Sequence, residues 1–250
     1  KWTDSTWTNN TPYSVNINGR PVGVWNFTID AEDSLYNATD EVDVTVSAVN
    51  PSDNNPPDQS WTYATTGHTI PWTITDPGSP TGTYRVYRNN TLLNPGGSTW
   101  TNNTNIAWGV NGLGVGVYNY TIEYWDGNCT APYPTDLVWV TVTKASPTIE
   151  IYLNGTAGDK NYWLGQHMNL TGTVGGGLTV VVEFTNGTDI SVPAADKSTI
   201  IINTDSWGAG SWTIRAHTDG NANYTAGNSA ARTVTIQTHI ACNTPADQTY

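Results

Sequence analysis

One short pattern recurs three times and limits what this chain can fold into. Gly23-Val24-Trp25-Asn26-Phe27-Thr28-Ile29, Gly116-Val117-Tyr118-Asn119-Tyr120-Thr121-Ile122 and Gly210-Ser211-Trp212-Thr213-Ile214-Arg215-Ala216 each run glycine, spacer, aromatic, then alternating residues. The glycines lie 93 and 94 positions apart. A second landmark keeps the offset: Ser5-Thr6-Trp7-Thr8-Asn9-Asn10 returns letter for letter at Ser98-Thr99-Trp100-Thr101-Asn102-Asn103, 93 positions on. Two landmarks with one spacing mean that a module has been copied in tandem. The alternation of period two marks the pattern as a strand with one buried face, entered through a tight turn at the glycine. Trp25, Tyr118 and Trp212 are expected to plug the core of successive copies, and the recurrence of Trp7 and Trp100 points to packing as well.

The landmarks divide the chain. Residues 1–49 read as the back half of a module, with a short strand at Val15–Ile17 and a closing strand at Val42–Ser47. Residues 58–144 form a complete module with strands at Thr69–Thr75, Thr83–Arg88, Thr91–Leu93, Ile106–Val110, Gly116–Trp125 and Leu137–Thr143. Turn signals such as Asn89-Asn90 and Asn111-Gly112 separate them. Residues 146–238 form a second, divergent module, in which Gly175-Gly176-Gly177 reads as a hairpin-like turn. Residues 239–250 read as a linker and the start of a further repeat, because Pro245-Ala246-Asp247-Gln248-Thr249-Tyr250 aligns without gaps on Pro56-Pro57-Asp58-Gln59-Ser60-Trp61. On this reading the chain begins and ends partway through repeats, as an excerpt of a longer protein would. Donation of the tail strand to another molecule is the competing account of the same ends. Short alternating strands at this spacing, with no useful helical periodicity, predict all-β sandwiches of about ninety residues.

Composition narrows the function classes. A net charge of −12 and a pI near 4.4 argue against nucleic acid and against an anionic membrane surface. No apolar run is long enough to span a bilayer, so no direct membrane insertion is expected of this segment. Thr and Asn dominate the polar residues, and Asn-x-Ser/Thr occurs at Asn9, Asn26, Asn37, Asn89, Asn102, Asn119, Asn128, Asn154, Asn169, Asn186 and Asn223. An Asn- and Thr-rich chain generates some of these by composition alone. Together with low lysine they favour a surface-exposed protein carrying covalent N-linked glycans. Cys129 follows the signature strand of one module and Cys242 lies in the joint before the next. A module is on the order of 30–40 Å long, and disulfide Cα atoms must approach within about 7 Å. The two are therefore expected not to bridge within one chain, leaving them free or linking neighbouring molecules.

Catalytic chemistry finds little support. Glu123, Glu150 and Glu183 lie on predicted strands, but no motif fixes a converging pair, and solvated strand-face carboxylates are the favoured reading. His68, His167, His217 and His239 show neither metal-ligand spacing nor a nucleophile elbow, and read as isolated surface or turn residues. No cofactor is expected. Asp53, Asn54 and Asn55 in the polar, Pro-rich joint Asn50–Pro57, with the adjoining Asp58, faintly suggest a calcium-binding junction, with a plain linker favoured because two carboxylates are few. Trp2, Trp61 and Trp163 are less constrained and could serve a lateral interface.

Several segments carry a family resemblance. Pro57-Asp58-Gln59, Trp72-Thr73-Ile74-Thr75-Asp76, Gly82-Thr83-Tyr84-Arg85-Val86-Tyr87-Arg88-Asn89 and Gly116–Ile122 resemble immunoglobulin-like repeats of large archaeal surface proteins. Residues 146–238 resemble a prokaryotic immunoglobulin-like repeat through Tyr152-Leu153-Asn154-Gly155-Thr156 and Gly220-Asn221-Ala222-Asn223-Tyr224-Thr225. The resemblance implies tandem immunoglobulin-like β-sandwiches joined by short linkers, without enzymatic activity. It implies an extracellular, cell-surface setting: an S-layer component, adhesin, stalk or filament whose partners are copies of itself or other surface proteins. A glycan-binding adhesin segment or an accessory non-catalytic region of a secreted enzyme is the alternative. One departure is Arg20, which stands where the other copies have Leu113 and Trp207.

Overall fold

The computed structural model describes residues 6–239. The expectations for Trp2, Cys242 and residues 240–250 fall outside the described residues. Regular structure here is strand, apart from one 3-10 turn at Thr204–Ser206. The chain groups into two compact units that do not follow the repeat boundaries. One comprises Lys1–Pro57, Pro71–Trp108 and Asn119–Val138; the other comprises Asp58–Ile70, Gly109–Tyr118 and Trp139–Tyr250.

The first unit opens on a hairpin of β1 (Gly23–Glu32) and β2 (Asn37–Val46), paired antiparallel from Gly23 opposite Val46 to Glu32 opposite Asn37. Its inward-facing apolar residues are laid out for burial but largely open, with Ile29 47% and Val42 57% exposed. Val15–Ile17, expected as a strand, has no strand pairing. Three residues in isolation gain too few ladder bonds to offset their ordering entropy.

The strands that follow are β3 (Ser52–Asp53), β4 (Gln59–Thr62), β5 (Thr69–Thr75), β6 (Thr81–Arg88), β7 (Thr91–Leu92), β8 (Ser98–Thr101), β9 (Thr104–Gly109), β10 (Gly116–Trp125) and β11 (Thr135–Thr143). They form a three-stranded sheet in the order β3-β5-β9 and a larger one in the order β4-β11-β10-β6-β7, with β8 on β6. The stretch Asn50–Pro57 is therefore more than a linker. Ser52 and Asp53 pair with Thr75 and Ile74, and the Asn54 side chain accepts from the Thr73 amide at 2.7 Å. Pro51 and Pro56 are buried, which removes them from the flexible-joint role that proline suggested. Asn89 (φ 48) and Asn90 (φ 64) turn β6 into β7 through a two-residue loop, the left-handed pair such a hairpin requires.

The second unit ends with β12 (Ile149–Leu153), β13 (Lys160–Trp163), β14 (His167–Val174), β15 (Thr179–Phe184), β16 (Ala194–Ala195), β17 (Lys197–Asn203), β18 (Gly210–Thr218), β19 (Gly227–Asn228) and β20 (Arg232–Gln237). The sheet orders are β12-β14-β17 and β13-β20-β18-β15-β16, with β19 on β18. Apart from β8 and β19, which attach to non-equivalent strands, this is the strand order of β3–β11. Inward residues of both sheets make one core, including Ile151, Leu153, Met168, Leu170, Val180, Val182, Ile214 and Val234. The sheets meet closely at Gly172, where an added Cβ would lie 3.0 Å from Ala216 and 3.1 Å from Val182. Gly175-Gly176-Gly177 is not a hairpin, because β14 and β15 lie in different sheets; its glycines carry the chain across the core edge.

In both complete copies the first strand is split. One part joins the three-stranded sheet, and the next part runs parallel to the closing strand of the other. The fold is all-β, with immunoglobulin-like β-sandwiches in tandem joined by short linkers.

Candidate functional site

The repeated signature is a geometric device. Gly23, Gly116 and Gly210 sit at φ 145, 159 and 154, a region open to glycine and strained for other residues. In each copy the aromatic two residues on lies back over the glycine: a Cβ there would fall 4.0 Å from Trp25 Nε1, 3.5 Å from the Tyr118 hydroxyl and 3.8 Å from Trp212 Nε1. Trp25 Nε1 donates to the Pro21 carbonyl at 2.8 Å, and the Tyr118 hydroxyl donates to the Gly114 carbonyl at 3.0 Å, four residues back in both cases. Trp212 Nε1 has no hydrogen-bond partner; its ring packs with Phe184 and Trp207 instead. All three rings are half-buried, so they latch the strand entry at the core margin rather than filling the centre. The centre is taken by the residues further along, such as Tyr120, Ile122 and Ile214.

Trp7 and Trp100 keep one hydrogen bond in two settings. Trp100 Nε1 donates to the Trp125 carbonyl at 3.2 Å, and Trp7 Nε1 donates to the Glu32 carbonyl at 3.3 Å, each end displaced by 93 residues. Trp100 is 1% exposed and packs over Gly82 of β6, whereas Trp7 is 60% exposed. Shared packing was the expectation; it fails for Trp7 because no strand equivalent to β6 stands beside it among the described residues. Arg20 holds its guanidinium 5.2 Å from the Trp25 ring centre and 5.5 Å from that of Phe27, a cation over aromatic faces where Leu113 and Trp207 supply apolar contact.

The loop Gly220–Thr225 clasps the joint at Lys144–Pro147. Ala145 donates its amide to the Asn223 carbonyl at 3.0 Å, and Thr225 donates to the Ala145 carbonyl at 2.9 Å. Lys144 Nζ reaches the Asn221 carbonyl at 2.8 Å. Asn223 Oδ1 accepts from Val115 N at 3.1 Å, and the Tyr224 ring meets Tyr63 edge-on at 5.5 Å. Asn221 Oδ1 caps the turn by accepting from the Asn223 and Tyr224 amides. Gly220 sits at φ 74, and a Cβ there would lie 2.5 Å from the Tyr224 carbonyl oxygen. The sequence marked this loop by resemblance, but not that it joins residues 63 and 115 to residues 221–225.

The carboxylates are spent on the fold. Asp53 accepts from Asn55 N at 2.5 Å and from the Tyr124 hydroxyl at 2.6 Å; burial and the Asp53 hydrogen bond push the Tyr124 phenol far above its ordinary range. Asp58 accepts from Trp139 N at 2.9 Å. Both acids of the suggested calcium junction thus already hold protein donors. Glu183, expected as a solvated carboxylate, is 5% exposed. Its Oε1 receives Arg215 Nε at 2.5 Å, and its Oε2 lies 3.2 Å from Nδ1 of His217, which is not an isolated surface histidine. Glu183, Asp189 and His217 are the three-residue group among the described residues whose metal-ligating atoms fall within 4.8 Å of one another. Arg215 already balances the glutamate charge there, which disfavours a cation. Glu123 and Glu150 keep more solvent and face Arg85 and Arg232 at 4.0 and 3.9 Å.

The remaining expected residues are scattered. His68 stacks on Trp61 at 4.2 Å, and His239 stacks on Trp163, which is 41% exposed. His167 is exposed and lines a hollow of about 420 Å³ with Lys160 and Tyr162. Among the sequons, Asn102, Asn119 and Asn223 are half-buried and the other eight are exposed. The Asn102 side chain donates to the Asp76 carbonyl at 2.9 Å, so a glycan on that nitrogen would disturb a turn.

Cys129 is half-buried, and its amide donates to Asp126 Oδ1 at 2.9 Å. Burial first, and then the hydrogen bond to the Asp126 carboxylate, push its thiol pKa up. Burial acts to raise the Asp126 pKa, but hydrogen bonds from the Cys129 and Asn128 groups outweigh it and leave that acid lowered. Asp126 therefore adds stability above the usual carboxylate range that is lost as acid protonates it. Because the thiolate is the reactive form, iodoacetamide at pH 7.5 should label Cys129 more slowly than the same cysteine in the unfolded chain. Asp126→Asn should speed that labelling, as followed by intact mass of chains that carry Cys242→Ser.

These features define a class: tandem immunoglobulin-like sandwiches with a repeated strand latch and a clasped joint. No known family profile matches the chain, and no curated protein matches it. Solved structures do. Titin domains Z1Z2 in complex with telethonin match at 13% identity and TM-score 0.43, over 78% of this chain and all of that one. The fibronectin(III)-like modules of Clostridium thermocellum CbhA match at 16% identity and TM-score 0.32, over 78% of this chain and all of theirs. The human desmocollin-1 ectodomain matches at 10% identity and TM-score 0.35, over 86% of this chain and 47% of that one.

Proposed function

We propose that the chain is a structural repeat segment of an extracellular filament, stalk or surface layer on a prokaryotic, archaeal-type cell, and that it catalyses no reaction. The observation that carries this reading is the clasped joint, in which residues 144–147 and 221–225 are tied by backbone and side-chain hydrogen bonds. A joint built this way resists bending, which a load-bearing tandem needs and a flexible tether does not. Eight exposed sequons and an acidic, lysine-poor surface support glycosylation and an outside location. No cofactor enters the reading. Its partners are further copies or other surface proteins. The module boundaries 58–144 and 146–238 are proposed as the repeat units, with the pairing of Ser52–Asp53 extending the first of them upstream.

Immunogold labelling of whole cells, with antibody raised against the full chain, tests this. Gold should follow filaments or a regular surface coat; gold confined to cytoplasm, or to a diffusible secreted enzyme, would overturn the reading. Trp139, 44% exposed, and Trp163 favour the second reading, a glycan-binding adhesin segment, because exposed indole faces stack on sugar rings. Specific glycan-array binding by the full chain would promote it.

A further inference from the structure

Two of the eleven sequons are built into the fold in the same way. Asn89 and Asn154 each open a two-residue hairpin loop, one between the paired Arg88 and Thr91 and the other between the bridged Leu153 and Thr156. Both sit at φ 48, and the residue after each, Asn90 at φ 64 and Gly155 at φ 75, is left-handed too, as a tight hairpin requires. Each faces a further sequon asparagine on the neighbouring strand. Asn89 N donates to the Asn119 carbonyl at 3.0 Å, and Asn154 N donates to the Asn169 carbonyl at 2.8 Å. The return bond goes to the side chain. Asn89 Oδ1 accepts from the Asn119 amide at 3.0 Å, and Asn154 Oδ1 accepts from the Asn169 amide at 2.7 Å. In both hairpins a side-chain carbonyl has taken over a rung of the ladder.

That leaves the other arm of each planar amide free. Nδ2 of Asn89 and of Asn154 has no hydrogen-bond partner among the described residues, and both asparagines are exposed. A sugar on Nδ2 keeps the carbonyl that holds the ladder. The other sequons lack this combination. Asn26, Asn102 and Asn128 use Nδ2 to donate to Asp43, to the Asp76 carbonyl and to Asp126. Asn169 and Asn186 hold Oδ1 only within their own sequons, through the Thr171 hydroxyl and the Thr188 amide. Asn223 is half-buried in the clasp, with Oδ1 on the Val115 amide. Asn9, Asn37 and Asn119 make no side-chain hydrogen bond among the described residues. Asn154 also lines the hollow with Lys160, Asn161, Gln166 and His167, so a sugar carried there meets hydrogen-bonding groups.

We propose that Asn89 and Asn154 carry N-linked oligosaccharides, one on each complete sandwich and each set on a carboxamide fixed by the fold, and that Asn26, Asn102 and Asn128 stay bare. The step is a transfer from an oligosaccharyl-phosphate donor. The bond from Nδ2 to the anomeric carbon forms, the bond from that carbon to the phosphate oxygen breaks, and the phosphate leaves with the proton that Nδ2 gives up. Nδ2 keeps its second hydrogen, and Oδ1 keeps its rung. This rests on the glycosylated-surface reading and deepens it by naming where the sugars stand.

The test is glycopeptide mass spectrometry of the full chain taken from the cells that make it, beside chains carrying Asn89→Asp or Asn154→Asp made in the same cells. The parent should bear sugar at Asn89 and Asn154 and none at Asn26, Asn102 or Asn128. Each aspartate variant should lose the mass of one oligosaccharide. It should also melt above the matching Asn89→Ala or Asn154→Ala chain, which loses the same mass and the rung as well. Sugar at Asn26, Asn102 or Asn128 would overturn the proposal and leave the glycosylated-surface reading standing. So would a bare Asn89 or Asn154 in a chain glycosylated elsewhere. An alanine chain that melts with its aspartate counterpart would overturn the anchoring role of Oδ1. A parent with no sugar at any sequon would overturn both the proposal and the glycosylated-surface reading.

Discussion

Gly82→Ala should unfold the sandwich built from β3–β11 well below the melting temperature of the parent chain. A Cβ at Gly82 would lie 2.2 Å from the Trp125 carbonyl oxygen and 2.5 Å from two Trp100 ring atoms. Neither can yield cheaply. The carbonyl belongs to the sheet backbone and accepts the Trp100 indole, and the ring is 1% exposed in a close-packed core. Overpacking of this kind costs about 3 kcal/mol or more when backbone must shift. For a domain of this size that is a fall of roughly 12–24 °C in its transition. Calorimetry of the full chain should show one transition shifted and another unchanged, because the β12–β20 core does not include these residues. A variant melting within a few degrees of the parent would mean that Trp100 can swing aside.

Glu183→Ala should have the next largest effect, on the other sandwich. The carboxylate stands between Arg215 and His217, and its side chain is 6% exposed. Removing it leaves a guanidinium facing an apolar strand with one partner gone. Breaking a buried pair costs about 3–5 kcal/mol. Arg215 keeps 30% of its side-chain surface in water, which lowers the expectation to about 2–3 kcal/mol. Replacing Glu183, Arg215 and His217 together by apolar residues should cost less than the single change. The check is calorimetry of the full chain, in which the transition of the β12–β20 sandwich should shift and the other should not. An alanine variant as stable as the parent would show that water replaces the carboxylate.

The long strands were legible because they alternate over enough residues to be read. β10 alternates over ten residues and β5 over seven, and both fall at the expected Gly116–Trp125 and Thr69–Thr75. The short ones were not. β3 has two residues inside a proline-rich stretch, and β13 has four, too few for any period to register. The aromatic latch was legible as a pattern but not as a position. Alternation identifies the face of a strand, yet it does not tell the margin of a core from its centre. Glu183 was misread because its partners sit on β18, 32 and 34 residues on, and its burial depends on a register that pairs it directly with Arg215. Trp7 was misread for the opposite reason: its hydrogen bond is kept, but the neighbour that would cover it is not among the described residues.

In both complete sandwiches the second part of the split first strand lies parallel to the strand that ends the same module. Tension applied at the two ends of such a module therefore drags these strands past each other lengthwise. The bonds between them are strained together and must fail as a group, whereas an antiparallel hairpin pulled from its open end parts one rung at a time. The ladder between β4 and β11, and that between β13 and β20, would thus act as a mechanical fuse whose strength is set by four residue pairs.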